Sequence, residues 1–347
     1  MSERQPKVGL VLGGGGMAGY AFHCSILATL EQETGFDPRT AEIMVGTSAG
    51  AIAAAILRGD VPVAEIRDRL LAAIDDPDQM PELRLLAGGT PKTVPRIWGG
   101  PGAPTMAVRE LRRGRKMQLS KVLAAMLPQG RSPLSPVTER IEKLHSSEWP
   151  ERPLWIPATN QQSGRLAVFG RDREAPVAKA VEASAALPVY FAPVKIGKRS
   201  YVDGGIGSPF NADLLVDYRT GTPSDGEPLD LVIVLAPLSV DELRKKNPFA
   251  SVARSLPRRR LLAECRAIKA AGTDVLIIQP DALVAKAMGL NPMDPDRVKS
   301  IVAQSDVMMT EQLSTTAQGI TDLLKRAANT LVSPTDVAYP PIEPALP

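Results

Sequence analysis

Apolar residues in this chain fall into short continuous runs separated by stretches with helical spacing. Residues 8–12, 43–45, 154–160, 229–236 and 275–279 are runs of strand length with little polar alternation. Such runs predict strands buried on both faces, as in a mostly parallel sheet covered by helices. Residues 166–170 predict a partner for 154–160 through the turn Gln161-Gln162-Ser163-Gly164, and 194–201 predicts a hairpin. Helical spacing covers 20 to about 34, 51–57, 63–74, 119–127, 137–147, 177–186 and most of 240–271. It also covers 298–328, with a break expected near Thr310. Residues 77–136 differ in character, being rich in Pro, Gly, Met and Arg, with turn signals at Gly88-Gly89 and Gly99-Gly100. A segment of that length between core elements predicts a cap or lid. Five prolines in the last fourteen residues predict an irregular tail over 333–347.

With 347 residues the chain can form one large α/β domain or two small ones. Hydrophobic content of 44% supports a sizeable core, and aromatic content of 4% means that Ala, Val, Leu and Ile must fill it. So few aromatics argue against a base-stacking nucleic-acid binder. Two cysteines, Cys24 and Cys265, provide neither a disulfide framework nor a cysteine metal site, which suits a reducing compartment. No apolar run approaches the ~20 residues that span a bilayer, and the N-terminus lacks a signal-peptide pattern. The expectation is a cytoplasmic protein. The net charge of +3 is unevenly spread: residues 82–131 hold ten Lys/Arg against two acids, and 244–269 nine against one. Two such segments suggest contact with an anionic surface such as a lipid headgroup layer. Solvated helix faces are the competing reading.

Chemistry enters at Gly46-Thr47-Ser48-Ala49-Gly50, a G-x-S-x-G motif between a predicted strand and a predicted helix. In that context it predicts a nucleophile elbow, with Ser48 at the tip of a tight turn. The amides after it lie at a helix N-terminus and can stabilise an anion. The plainer reading of Ser48 is a helix N-cap. Upstream, Gly14-x-Gly16-x-x-Gly19 satisfies a dinucleotide fingerprint, but the acidic ribose partner is missing where the second strand ends in Gly46-Thr47-Ser48. Asp37 falls in the loop before that strand. The same consecutive glycine amides suit an oxyanion hole. His23 and Cys24 in the following helix read as packing residues.

A serine needs a base. The only histidines are His23 and His145, so none lies beyond a late aspartate to complete a Ser…Asp…His order. His145 fits only a rearranged order. The alternative is a carboxylate that takes the hydroxyl proton directly, and Asp203, with Gly204 and Gly205 after it, is the candidate. Burial would have to raise its proton affinity, because an ordinary Asp is a poor base at pH 7. A simple β-turn is the bland reading of Asp203-Gly204-Gly205.

Taken in order, these blocks resemble the patatin-like phospholipase family of bacterial type. They are Gly13 to Gly19, Gly46 to Gly50, Ala183-Ser184 with Pro188, and Asp203-Gly204-Gly205. Asn211-Ala212-Asp213 also resembles the segment downstream of D-G-G in many members. The resemblance implies a three-layer α/β/α hydrolase forming a single domain over 1–332, with 77–136 as its cap insertion. It implies a lipid acyl hydrolase with Ser48 as nucleophile and Asp203 as base. Gly14, Gly15 and Gly16 would hold the oxyanion, and Gly46, Gly50, Gly204 and Gly205 would support the elbow and the base. No metal or organic cofactor is implied. The expected partners are a lipid or acyl ester and an anionic membrane surface, not nucleic acid. Ala18 stands where many members carry an arginine, which leaves any role of that arginine unfilled. Two other readings remain open here: nucleotide binding through the glycine loop, and a catalytically silent, membrane-associated relative.

Overall fold

Strand β1 (Val8–Leu12) is central because every one of its residues is buried, with successive side chains entering opposite layers. Leu10 and Leu12 join the core on one face of the sheet, and Val11 joins the core on the other. Strands β2 (Ile43–Gly46) and β7 (Leu231–Leu235) divide their side chains in the same way. The computed structural model describes residues 6–75, 100–114, 117–130, 132, 134–145, 149–216, 218, 228–239, 248–316 and 318–328. The first part of the expected cap (77–99), residues 146–147 and 240–247, and the Pro-rich tail lie outside the described residues.

The remaining strands are β3 (Leu154–Asn160), β4 (Leu166–Phe169), β5 (Val194–Ile196), β6 (Arg199–Val202) and β8 (Asp274–Ile278). The sheet runs β5-β6-β3-β2-β1-β7-β8, with β4 also paired to β3. Strands β3, β2, β1, β7 and β8 are mutually parallel. The β4, β5 and β6 pairings are antiparallel. Helices lie on both faces, giving the mostly parallel α/β/α arrangement that the apolar runs predict. Among them are α3 (Val63–Asp75), α6 (Ser135–His145) and α9 (Ala282–Met288).

Helix α1 (Gly16–Thr34) is buried on nearly every side. Helix α10 (Val298–Thr315) lies along it. Ser25 and Thr29 of α1 donate to Asp306 of α10 at 2.6 and 2.9 Å, which fixes the contact with polar pins. The helix expected over 298–328 breaks at Thr316, not near Thr310. Thr315 and Thr316 turn their hydroxyls back to the Gln312 carbonyl, and Thr316 takes an extended ψ of 141° before α11 (Gln318–Ala328). Such local side-chain bonds compete with helix continuation.

Helix α2 (Ala49–Arg58) packs unusually close to the sheet because its residues are small. A Cβ on Gly50 would overlap the Leu12 carbonyl oxygen. Ala normally gains about 1 kcal/mol over Gly in a helix, but backbone overlap cannot be relieved by a rotamer change. Gly50→Ala is therefore expected to lose more than ~4 kcal/mol, read as a sharp fall in melting temperature or in soluble yield.

Candidate active site

Beyond Gly46, Thr47 donates its amide to the Leu12 carbonyl at 3.0 Å, and α2 begins at Ala49. Ser48 between them has φ 55° and ψ −118°, a left-handed conformation that side-chain-bearing residues rarely adopt. Strain of this kind persists only where neighbours over-determine it. The Thr47 hydroxyl accepts from Asn211 Nδ2 at 3.0 Å, and the Ser48 amide donates to Ser184 Oγ at 3.0 Å. Ser184 closes helix α7 (Val177–Ser184) and is fully buried. Its role is not legible from local sequence, although the Ala183-Ser184…Pro188 block marks its position. Removing this acceptor leaves a buried N–H unsatisfied, a loss of about 1–3 kcal/mol. Ser184→Ala is expected to lower both the melting temperature and kcat/KM, the latter roughly tenfold by the energy-to-rate relation.

Asp203 lies just past β6 and reaches the elbow from the antiparallel side of the sheet. Its amide donates to the Ala186 carbonyl at 3.0 Å, and its Oδ1 accepts from the Gly205 amide at 2.7 Å. Gly204 lies so close to β3 that a Cβ would overlap the Pro157 carbonyl oxygen. Oδ2 is buried and makes no hydrogen bond among the described residues. The Ser48 hydroxyl is nonetheless near enough to act on the carboxyl. Burial raises the proton affinity of Asp203 from 3.8 to about 6, opposed by Ser48 and by the Gly205 amide. The carboxyl is thus a much stronger base than a solvated aspartate, yet mostly ionised at pH 7.

The glycine loop passes directly beside Ser48: a Cβ on Gly14 would stand 3.3 Å from the Ser48 Cβ. The Gly13 and Gly14 amides are already committed, to Leu235 O at 3.0 Å and Pro209 O at 2.8 Å. That narrows the expected oxyanion set, because Gly14 has no free N–H. The amides of Gly15, Gly16 and Ala49 have no hydrogen-bond partner among the described residues. Beneath the loop, His23 Nε2 lies 2.6 Å from the Gly13 carbonyl. Burial pushes its imidazole down to about 4, so it is neutral and donates from Nε2. It supports the loop from a position that the sequence pattern marks only for packing.

His145 is not at the elbow. Its Nε2 lies 2.6 Å from the Ala55 carbonyl, seven residues along α2 from Ser48 and so about 10 Å down the axis. Cys24 and Cys265 are buried, and burial pushes both thiols up to about 12. The dinucleotide reading also loses ground: besides Gly13 and Gly14, the Ala18 amide is taken by Pro292 O at 2.9 Å. Few amides remain for a pyrophosphate. Among the described residues no group of three or more His, Cys, Asp or Glu is placed to hold a metal ion.

Two short helices stand over one side of the site, α4 (Pro104–Leu111) and α5 (Leu119–Met126). Helical spacing alone does not reveal α4, although Pro104 at its first turn is a recognised start signal. Ala103, Met106, Ala107 and Ala125 form a small core between the two helices. Between them and the body lies a small apolar gap with room for about one water molecule, lined by Met106 and Leu127 on one side and Pro188, Phe191, Val202 and Ile206 on the other; neither Ser48 nor Asp203 borders it. Lys121 of α5 is buried, with its Cε against Gly207, just beyond the Asp203 turn. Burial lowers the proton affinity of Lys121, which the nearby Glu110 opposes.

The patatin-like phospholipase family model matches residues 10–216. Solved structures similar to this chain include VipD from Legionella pneumophila, at 14% identity over 89% of this chain and 67% of that one, with a TM-score of 0.38. The type III effector ExoU shows 18% identity over 89% and 53%, with a TM-score of 0.35. The ExoU–SpcU complex from the type III secretion system of Pseudomonas aeruginosa shows 19% over 92% and 61%, with a TM-score of 0.31. The chain thus spans between 53% and 67% of the length of these structures. Among curated proteins no sequence match was found.

Proposed function

We propose, from the premise that this chain belongs to the patatin-like phospholipase family and so is a lipid acyl hydrolase, that it works through Ser48 and Asp203. The observation that carries the reading is a strained, half-buried serine beside a buried carboxylate whose free oxygen has a proton affinity near 6. Asp203 Oδ2 takes the hydroxyl proton as Ser48 Oγ attacks the ester carbonyl carbon. The amides of Gly15, Gly16 and Ala49 stabilise the resulting oxyanion, each worth about 3–4 kcal/mol in other hydrolases. Collapse breaks the ester C–O bond, and the departing alkoxide takes the proton back from Asp203. Water then repeats the sequence on the acyl-serine and releases the fatty acid. The substrate is a fatty acyl ester of a phospholipid or related lipid.

The test is reaction with a fluorophosphonate and then peptide mapping. Stoichiometric modification at Ser48, prevented by an excess of a long-chain p-nitrophenyl ester, is the expected result. Modification elsewhere, or none in folded protein, would remove the reading.

A further inference from the structure

Helix α5 inverts the usual amphipathic pattern, and α4 departs from it in part. A surface helix ordinarily turns its large apolar residues inward and its charges outward. In α5 the inward positions are Lys121 and Ala125, both buried. The large residues Leu119, Leu123 and Met126 are spaced i, i+4, i+7, and are 54%, 57% and 54% exposed. In α4 Met106 and Ala107 are buried in the ordinary way, but Glu110 is buried with them, while Leu111 is 57% exposed. Of the eleven large hydrophobic side chains exposed among the described residues, seven fall between 108 and 127. Such concentration in one small region marks a contact surface, because singly scattered apolar residues are the norm on monomers.

The charges beside this face favour one kind of partner. In sequence, residues 101–130 contain six basic residues and one acid, Glu110; of the described basic ones Arg109, Arg112 and Arg113 are exposed and Lys121 is buried. Glu110 is buried against Arg113, so it presents no negative charge outward. Arg109 and Arg112 are exposed next to Leu111. The second basic stretch, in helix α8 (Pro248–Ala270), is engaged elsewhere, since Arg260 pairs with Asp213 and Glu264. No helix among the described residues is long and apolar enough to cross a membrane. A short apolar stripe rimmed by arginines instead suits shallow insertion at a headgroup boundary.

We infer that the outer face of α4 and α5 docks on an anionic lipid bilayer, with Leu111, Leu119, Leu123 and Met126 entering the acyl boundary and Arg109 and Arg112 meeting lipid phosphates. The segment that carries the two helices is moored to the body by main-chain and side-chain hydrogen bonds, among them the Ala192 amide to the Ser132 carbonyl at 3.1 Å. The Val189 amide donates to the Pro128 carbonyl at 3.0 Å, and Gln161 Nε2 donates to the Gly102 carbonyl at 3.0 Å. Docking there places the α4 and α5 side of the molecule against the lipid surface. Delivery of lipid to Ser48 by this route rests on the proposed hydrolase activity; the docking itself does not.

The experiment measures partitioning of full-length Ser48→Ala protein onto vesicles, so that turnover plays no part. Vesicles of phosphatidylglycerol with phosphatidylcholine are compared with phosphatidylcholine alone, at low salt. Leu119→Glu/Leu123→Glu is expected to weaken partitioning at least tenfold with an unchanged melting temperature. Arg109→Glu/Arg112→Glu, which leaves the apolar stripe intact, is expected to abolish the preference for the anionic vesicles and decides the matter if the leucine variant fails to fold. Failure of the parent protein to partition, or equal partitioning of parent and variants, would overturn the inference. So would a dimer in sedimentation velocity that the leucine variant dissociates, since the face would then join two copies of this chain.

Discussion

Asp203→Asn is expected to abolish turnover and to make the protein more stable at the same pH. An amide cannot accept the Ser48 proton, and loss of a general base lowers kcat by ~10³-fold or more. The stability gain comes from the same burial that makes Asp203 useful. Its proton affinity lies at about 6 in the folded protein against 3.8 ordinarily. A carboxyl with a raised folded-state pKa binds its proton more tightly when folded, so it opposes folding wherever it is ionised. That opposition is complete above about pH 6, declines between 6 and 3.8, and is gone below. A shift of about two units corresponds to about 3 kcal/mol. Asp203→Asn keeps the Oδ1 acceptor for the Gly205 amide and removes the buried charge. Its melting temperature should rise by about 3–5 °C at pH 8, with almost no gain at pH 4. Thermal melts at the two pH values, together with ester turnover, check both halves. A loss of stability at pH 8 would mean that the carboxylate is compensated by groups other than those described.

Ser48→Ala is expected to lose ~10⁴-fold or more of ester turnover with little change in folding. The elbow's backbone is held without the Ser48 hydroxyl: its amide binds Ser184 and its carbonyl accepts from Ala51 at 2.9 Å. The backbone strain at φ 55° is the same for Ala as for Ser. Ser48→Gly should relieve that strain and exceed Ser48→Ala in stability by about 1 kcal/mol. A glycine variant no more stable than the alanine variant would show that the elbow stores no strain. Residual activity in Ser48→Ala above ~1% of wild type would show that another nucleophile serves.

The features legible in sequence are those with a local signature. β1, β2 and β7 show as uninterrupted apolar runs because both faces of each strand are covered. Ser48 stands out as a candidate because Gly46 and Gly50 flank its turn at fixed spacing, and Asp203 because Gly204 and Gly205 follow it. The rest depends on distant backbone. The Pro209 carbonyl that occupies the Gly14 amide leaves no mark on the glycine loop, since any residue supplies a carbonyl. Ser184 reaches the Ser48 amide across 136 positions. His23 reads as a packed histidine until the Gly13 carbonyl is seen above it. Helices α4 and α5 are obscured for another reason. Residues 119–127 show helical spacing, but spacing alone cannot say that the leucines point outward while Lys121 and Ala125 point inward.

The central claim is that Asp203 is the base for Ser48. It is tested most directly by the pH dependence of the fluorophosphonate labelling rate in the wild type and in Asp203→Asn. The wild-type rate should rise about tenfold per unit below the Asp203 pKa, level off above about pH 6, and be nearly absent throughout in Asp203→Asn. Labelling of folded Asp203→Asn at the wild-type rate, with the inflection near pH 6 retained, would contradict it.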